Sequence, residues 1–310
     1  MKGPWALGLQ IAVSAVLLLL LARQVHVSEI VEALSHLRPI TVLGALALTL
    51  VSYLGRAQRW AGLLARSGVR LALAPAWALT LLGVGYGLVT PGKVGEFARV
   101  LHLGVPRAQA LASVIWDRVT DVLLLEALAI PAFLLVPAWR GPVMWLFLAV
   151  VAATLVGVAV LESRGLQSAL ARLLPFAAGP IGRWQDASTG TFMSGAFRTG
   201  LAGGAFYYVL NFASALLLVR DLAPGAPLTL ALGFPIIPLL GNLPIAFSGF
   251  GLREQVSATL FSHLGTAAAA GPAFSLAWFT VATLLPGLLG ILLGATPWVR
   301  HAARAPGAAR

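Results

Sequence analysis

Long apolar runs limit what this chain can fold into. A bilayer core takes about 20 apolar residues per helical span, and runs near that length cover residues 5–22, 39–54, 107–136, 141–161, 197–219 and 272–298. The chain of 310 residues is 59% hydrophobic and only 10% charged, with a mean hydropathy of +0.91, unlike a soluble domain. These features predict an all-α polytopic membrane protein, with residues 1–310 forming a single integral-membrane domain.

Residues 23–38, which follow the first run, are polar but include regularly spaced apolar side chains. Glu29, Glu32 and two histidines lie beside Val27, Ile30 and Leu34. This pattern predicts a short amphipathic helix at the membrane interface.

Two further apolar regions, residues 77–103 and 228–264, are interrupted by glycine, proline and charged residues. We call them the first and second broken segments. The first contains the motif TPGKVGEFAR at 90–99, and the second contains LPIAFSGFGLREQ at 243–255. Irregular backbone at membrane depth is tolerated only inside protein or beside a water-filled cavity. Both segments are therefore predicted to be discontinuous or re-entrant.

Six spanning helices plus the two broken segments, or up to eight helices with both counted, form the predicted topology. An odd number of spans separates the broken segments, so they enter the membrane from opposite sides. This arrangement is an inverted repeat, with a first half at about 1–137 and a second half at about 141–298. In many transporters, such repeats build the substrate site near the bilayer midplane.

The distribution of basic residues orients this topology, since cytoplasmic loops carry an excess of lysine and arginine. Only Arg23, Arg38, Arg140 and Arg220 fall outside when both termini, including the tail at 299–310, are cytoplasmic. The basic residues on the cytoplasmic side are then Lys2, Arg56, Arg59, Arg66, Arg70, Arg99, Arg107, Arg164, Arg172, Arg183, Arg198, Arg300, Arg304 and Arg310. The net charge of +11 is thus explained without a nucleic-acid partner.

Charged residues inside membrane segments are functional candidates by default. On the helix that begins near Arg107, Asp117, Arg118 and Asp121 project within about 100° of one another, so they can face one cavity. Glu126 projects from the other side of that helix. Arg-carboxylate pairs that only hold helices together are the structural alternative.

The broken segments supply the remaining candidates, which are Lys93, Glu96, Arg99, Arg253 and Glu254. A cation beside free backbone N–H groups suits a phosphate or carboxylate, and Lys93, Arg118 and Arg253 provide that cation. The acidic residues either hold the cations in place or bind protons or an amine of the substrate. Cysteine is absent and the histidines lack companion ligands, so no metal and no cofactor are expected.

Together, TPGKVGEFARV, ASVIWDRVTDVLLLEAL and GNLPIAFSGFGLREQ resemble the membrane domain of lysylphosphatidylglycerol synthases, which is the flippase region of the multiple peptide resistance factor, and its stand-alone relatives. The likeness extends over about residues 56–298. By position, the motif residues are Pro91, Gly92, Gly95, Glu96, Arg99, Asp117, Arg118, Asp121, Pro244, Gly249, Gly251, Arg253 and Glu254.

The resemblance implies a prokaryotic inner-membrane protein that flips a lipid with a phosphate-containing headgroup. That lipid is an aminoacyl-phospholipid in fused relatives, while stand-alone relatives are associated with polyprenyl-phosphate carriers. Only a short basic tail follows Trp298, so synthase activity is expected to be absent. Coupling to protons or ions stays open. A membrane-embedded transferase with a lipid-phosphate donor and a non-catalytic assembly partner are the alternative hypotheses.

The predicted topology can be tested directly because the chain has no natural cysteine. Single cysteines near Arg66 and Arg183 should react with a membrane-impermeant thiol reagent only from the cytoplasmic side. Cysteines near Arg140 and Gly225 should react only from outside. Reaction of all four positions from one side would contradict the inverted repeat.

Overall fold

All regular structure in the described part of the chain is helical. A computed structural model describes residues 4–23, 25–103, 107–173, 178–243, 246–267 and 269–296. The α-helices, in chain order, are α1 (Pro4–Ala22), α2 (Val27–Ser35), α3 (Pro39–Ala65), α4 (Leu73–Leu88), α5 (Arg107–Leu135), α6 (Pro142–Glu162), α7 (Arg164–Leu173), α8 (Ala178–Ser188), α9 (Gly195–Leu222), α10 (Ile236–Gly241), α11 (Leu252–His263), α12 (Ala270–Phe279) and α13 (Leu285–Gly294). The 3-10 helices are Pro91–His102, Pro137–Arg140, Leu228–Gly233 and Phe247–Gly249, and a π-helical turn, Thr280–Leu284, joins α12 to α13.

Four helical stretches within the described residues are long and apolar enough to cross a membrane. They are Pro39–Ala65, Val143–Glu162, Gly195–Leu222 and Ala270–Gly294. A fifth candidate is the pair formed by α1 and α2, which are bent by 82° relative to each other. Helix α5 is long enough, but the charged residues in its middle lower its hydropathy. The chain is thus a multi-pass membrane protein, while the count of six spans stays a prediction.

Helix α2 matches the predicted amphipathic helix. It contains Glu29 on a polar face, whereas Ile30 and Leu34 pack against the main hydrophobic core. Its contacts are chiefly with α12. The apolar spacing in the sequence therefore identified the helix and the partly buried Ile30 and Leu34, whereas Val27 is 67% exposed.

Helix α3 is longer than the sequence predicts, because it continues past Leu54 to Ala65. No proline follows Pro39 within the helix, and its two arginines find carboxylate partners inside the protein instead of ending the span. Helix α3 packs closely on α9 where Gly55 faces Gly203. A Cβ atom built on Gly55 would lie 2.3 Å from the carbonyl oxygen of Gly203.

The structure confirms that the first broken segment is interrupted. Helix α4 ends at Leu88, and the 3-10 helix Pro91–His102 folds back against it. The N–H of Gly95 donates to Oγ1 of Thr90 over 2.6 Å. A Cβ on Gly95 would lie 2.1 Å from the carbonyl oxygen of Tyr86, so only glycine permits this close return of the backbone.

The second broken segment is interrupted twice, since the 3-10 helix Leu228–Gly233 leads into α10, and Phe247–Gly249 precedes α11. Gly249 has φ +75°, and a Cβ there would lie 2.4 Å from the carbonyl oxygen of Gly241, so both conformation and space require glycine. Pro244 lies outside the described residues. The inverted relation of the two segments stays a prediction.

Small residues also bring α4 and α13 together, as is common where helices pack closely in membranes. A Cβ on Gly85 would lie 2.5 Å from the carbonyl oxygen of Gly287, and one on Gly290 would lie 2.1 Å from the backbone of Leu81. This contact closes the helix bundle around the first broken segment.

The close contact of α3 with α9 can be tested by comparing two glycines of α3. Gly55→Ala should lower the melting temperature of the detergent-solubilised protein, because overpacking costs roughly 1–3 kcal/mol. Gly62 has no atom within 4 Å of a built Cβ, so Gly62→Ala should leave the melting temperature unchanged or raise it. Equal melting temperatures for the two variants would contradict the α3–α9 contact.

Candidate functional site

A polar cavity lies at the centre of the bundle, between α3, α5, α9, α12 and the two broken segments. Its volume is about 80 Å³, enough for a few water molecules or a small oxyanion group. The charged side chains that line it are Arg56, Lys93, Glu96, Arg118, Asp121 and Arg253. The cavity therefore brings together both broken segments and the two helices that carry the buried charges.

Behind the cavity, α3 and α5 are joined by fully buried ion pairs. Nε of Arg59 donates to Oδ1 of Asp117 over 2.6 Å, and Nη2 of Arg59 donates to Oδ1 of Asp121 over 3.0 Å. Nη2 of Arg99 donates to the other oxygen of Asp117 over 2.7 Å, while its guanidinium stacks on Trp60 at 4.1 Å. Asp117 thus pairs with two arginines from different segments.

At the cavity wall, Glu96 pairs with two more arginines. Its Oε2 accepts hydrogen bonds from Nη2 of Arg118 and, over 3.4 Å, from Nη2 of Arg56. Asp121 supports the same pair, because its Oδ2 lies 3.7 Å from Arg56 and 3.6 Å from Arg118. The hydroxyl of Tyr208 donates to Asp121 over 3.0 Å. Arg118 is the most exposed member of this network, with 22% of its side chain accessible.

Lys93 connects the two broken segments across the cavity. Its Nζ donates to Oδ1 of Asn242 over 2.6 Å. Lys93 has φ +55°, a left-handed conformation that is unusual for a residue with a long side chain. The backbone break after α4 therefore directs an ammonium group towards the second broken segment.

Arg253 lines the cavity and has buried donors without partners among the described residues. Its guanidinium lies between the rings of Phe250 and Phe279, at 5.0 Å and 4.1 Å from their centroids. The residue is only 9% exposed, yet Nε and Nη2 have no hydrogen-bond partner among the described residues. The carboxylate of Glu254 approaches Nη2 no closer than 3.8 Å. Buried donors without partners are costly, and an anion in the cavity could accept the hydrogen bonds that these two nitrogens do not make within the protein.

Glu254, in contrast, fixes the start of α11. Its Oε2 accepts from the N–H of Gly251 over 2.7 Å, and its Oε1 accepts from the hydroxyl of Ser275 over 3.0 Å. Gly251 has φ +84°, and a Cβ there would lie 2.6 Å from Leu17. This half of a capping box orients the helix that carries Arg253, and Glu254 does not line the cavity.

The predicted site residues therefore divide into two groups. Lys93, Glu96, Arg118, Asp121 and Arg253 line the cavity, whereas three others lie behind it. These three are Arg99, Asp117 and Glu254, and the backbone positions that shape the breaks are Pro91, Gly92, Gly95, Gly249 and Gly251.

The sequence assigns Arg56, Arg59 and Arg99 to the cytoplasmic side, and this assignment stays a prediction. The sequence did not anticipate that all three are buried within the ion network, at 5%, 1% and 1% exposure, where they pair with carboxylates on α5 and the first broken segment. The spacing of Arg56 and Arg59, three residues apart on an uninterrupted helix, was the signal that they share one face.

Sequence reasoning also missed the uncharged part of the site. Tyr53 and Tyr207 flank the guanidinium of Arg56, whose carbon lies 5.6 Å and 5.3 Å from their ring centroids. Asn211 and Asn242 also contribute to the polar lining. Glu126 accepts a hydrogen bond from Thr154 on α6 over 2.7 Å and does not line the cavity, as its position on the helix predicts.

The charges on the cavity wall have an excess of cations. Four basic side chains face two carboxylates, and both carboxylates already pair with arginines. Electrostatic interactions are strong in such a buried, low-dielectric site. The arrangement is suited to hold an anionic group that carries several acceptor oxygens.

The ion network behind the cavity should be essential for folding. Asp117→Asn leaves Arg99 without its carboxylate and Arg59 with Asp121 alone, and loss of one partner of a buried pair costs roughly 3–5 kcal/mol. We expect a large fall in the melting temperature of the purified protein. Asp186 pairs with Arg164 at the surface over 3.9 Å, so Asp186→Asn should change stability by only about 0–1 kcal/mol. Equal melting temperatures for both variants would show that the network is dispensable.

Comparison with known proteins places this architecture in a family. No curated protein sequence matches the chain significantly. Residues 7–290 match the family described as the lysylphosphatidylglycerol synthase TM region, which includes the cavity and both broken segments. The chain therefore belongs to the lysylphosphatidylglycerol synthase TM region family, and its function is that of a lipid-related membrane protein.

Proposed function

We propose that this protein flips a lipid with a phosphate-containing headgroup from one leaflet of the membrane to the other. The observation that carries the proposal is the buried guanidinium of Arg253, whose Nε and Nη2 lack partners while the group lines the cavity. A phosphate offers several charged acceptor oxygens that match a guanidinium. Lys93 and Arg118 supply further positive charge around the same space.

The composition of the cavity supports transport in preference to permanent binding. The cations come from four separate elements, namely Arg56 on α3, Lys93 on the first broken segment, Arg118 on α5 and Arg253 on α11. A headgroup held by elements that belong to different parts of the fold can be released when those elements move apart. Discontinuous helices around a central site have this property in many transporters.

The substrate class follows from the charge balance and the family. An aminoacyl-phospholipid or a polyprenyl-phosphate-linked compound carries a phosphate for Arg253, and an aminoacyl group adds an amine. Glu96 and Asp121 face the cavity and could accept such an amine or a coupling proton. The protein needs no cofactor for this process, which makes and breaks no covalent bond.

Transport can be measured in proteoliposomes that contain phosphatidylglycerol with a fluorescent acyl label. Dithionite added outside bleaches the outer leaflet, so lipid movement appears as loss of the protected fraction. Arg253→Gln should reduce the rate by about tenfold or more, since a charge-assisted hydrogen bond to phosphate is lost. Arg253→Lys should recover only part of the rate, because lysine cannot form a bidentate contact.

The matched control is Arg164→Gln, since Arg164 is an exposed arginine outside the cavity. Its rate should equal that of the unmodified protein. Equal rates for Arg253→Gln and Arg164→Gln would contradict the proposal, provided that both variants fold. A new lipid product formed when a soluble acceptor is added would instead favour the transferase.

A further inference from the structure

An apolar groove runs between α5 and α6 and has a volume of about 620 Å³, within the range of small-molecule sites. Among the described residues, its polar lining side chains are those of Arg118 and Thr154. The rest of the lining is apolar and includes Phe97, Val119, Val122, Ala153, Leu161 and Leu243. The composition is that of a site for a hydrocarbon chain.

The groove lies next to the polar cavity, because Arg118 lines both. Two other groove residues adjoin cavity residues in the chain. Phe97 follows Glu96 on the first broken segment, and Leu243 follows Asn242 on the second. Both broken segments and Arg118 therefore lie at the boundary between the cavity and the groove. A molecule with its polar head in the cavity and its apolar tail in the groove would pass these residues.

Helix α6, the outer wall of the groove, is poorly packed against the protein. Only 6% of its apolar window is buried, so most of its surface meets lipid chains. It is joined to α5 by the hydrogen bond from Thr154 to Glu126 and by the ring contact of Phe133 with Phe147 at 4.8 Å. The groove is therefore accessible to lipid from the membrane plane.

The dimensions of the groove match one leaflet. Residues 150–161 of α6 rise about 16 Å at 1.5 Å per residue, close to half of a hydrocarbon core of about 30 Å. Trp116, Val119, Val158 and Leu161 pack in one cluster, so Arg118 lies near the Leu161 end. A lipid with its phosphate at Arg118 would extend its chain along α6 towards the middle of the membrane.

We propose that this groove is the lateral entrance of the protein, where it binds one acyl or prenyl chain of a phosphate-bearing lipid while the headgroup passes Arg118 into the cavity. This proposal rests on the proposed function, because it assigns a binding site to the hydrocarbon tail of the same lipid. Arg118 selects the lipid at this entrance, because its guanidinium pairs with Glu96 and Asp121 of the cavity while 22% of its side chain stays accessible to a phosphate.

Photolabelling in nanodiscs distinguishes selective binding from ordinary lipid contact. The two probes are phosphatidylglycerol and diacylglycerol with the same diazirine on one acyl chain, and peptide mapping locates the labels. At α5 and α6 residues of the groove, phosphatidylglycerol should label about tenfold more than diacylglycerol, as one charge-assisted contact predicts. Arg118→Gln should remove this preference. Equal labelling of the groove by both probes in the unmodified protein would overturn the inference.

A bulky substitution tests whether the groove is used. Ala153→Trp fills the groove, whereas Ala152→Trp places the same ring on an exposed part of α6 that does not line it. Only Ala153→Trp should reduce phosphatidylglycerol labelling and flipping by about tenfold. If both variants retain labelling and flipping while Arg253→Gln abolishes flipping, the groove inference alone fails. If Arg253→Gln also has no effect, the proposed function fails with it.

Discussion

The pairing of buried arginines with carboxylates between α3 and α5 determines the rest of the structure. An unpaired charge in the hydrocarbon region is costly, so Arg59 on α3 can be buried only where Asp117 and Asp121 approach it. Arg99 shares Asp117 and so ties the first broken segment to the same point. Asp117 therefore joins α3, α5 and the first broken segment at one point. The irregular backbone around residues 91–102 is held within protein, where its polar groups can be satisfied.

The charged residues in and around the cavity differ in exposure and in hydrogen bonding. Asp117 is entirely enclosed and satisfied by arginines, which suits a structural role. Arg253 is also buried, at 9% exposure, but retains donors without partners among the described residues, which suits a ligand. Arg118 lies between these extremes, since it pairs with Glu96 while keeping 22% of its side chain accessible. A single network can thus stabilise the bundle and still offer a positive surface to an anion.

The sequence predicted the features that depend on local pattern. Apolar runs located the helices, and glycines and prolines located both broken segments, because these depend on chain composition within a few turns. The roles of Arg56 and Arg59 could not be read in this way, since an arginine at the end of an apolar run is more often at the interface. Only the approach of α5 makes their burial favourable. Asn242 and the tyrosines around Arg56 were missed for the same reason, because uncharged residues become part of a site only through tertiary packing.

Through the contact between Lys93 and Asn242, an anion bound in the cavity would affect how the two broken segments are held together. The contact is a single hydrogen bond of 2.6 Å across the cavity, and a phosphate beside Lys93 would compete with the amide oxygen for the ammonium. A ligand shifts a conformational equilibrium only through its different affinity for the two states. Under the proposed function, the headgroup provides that difference in affinity. It replaces the contact between Lys93 and Asn242, which holds the segments together, with its own contacts to Arg118 and Arg253. The same anion that completes the site would thereby weaken one of the interactions that closes it.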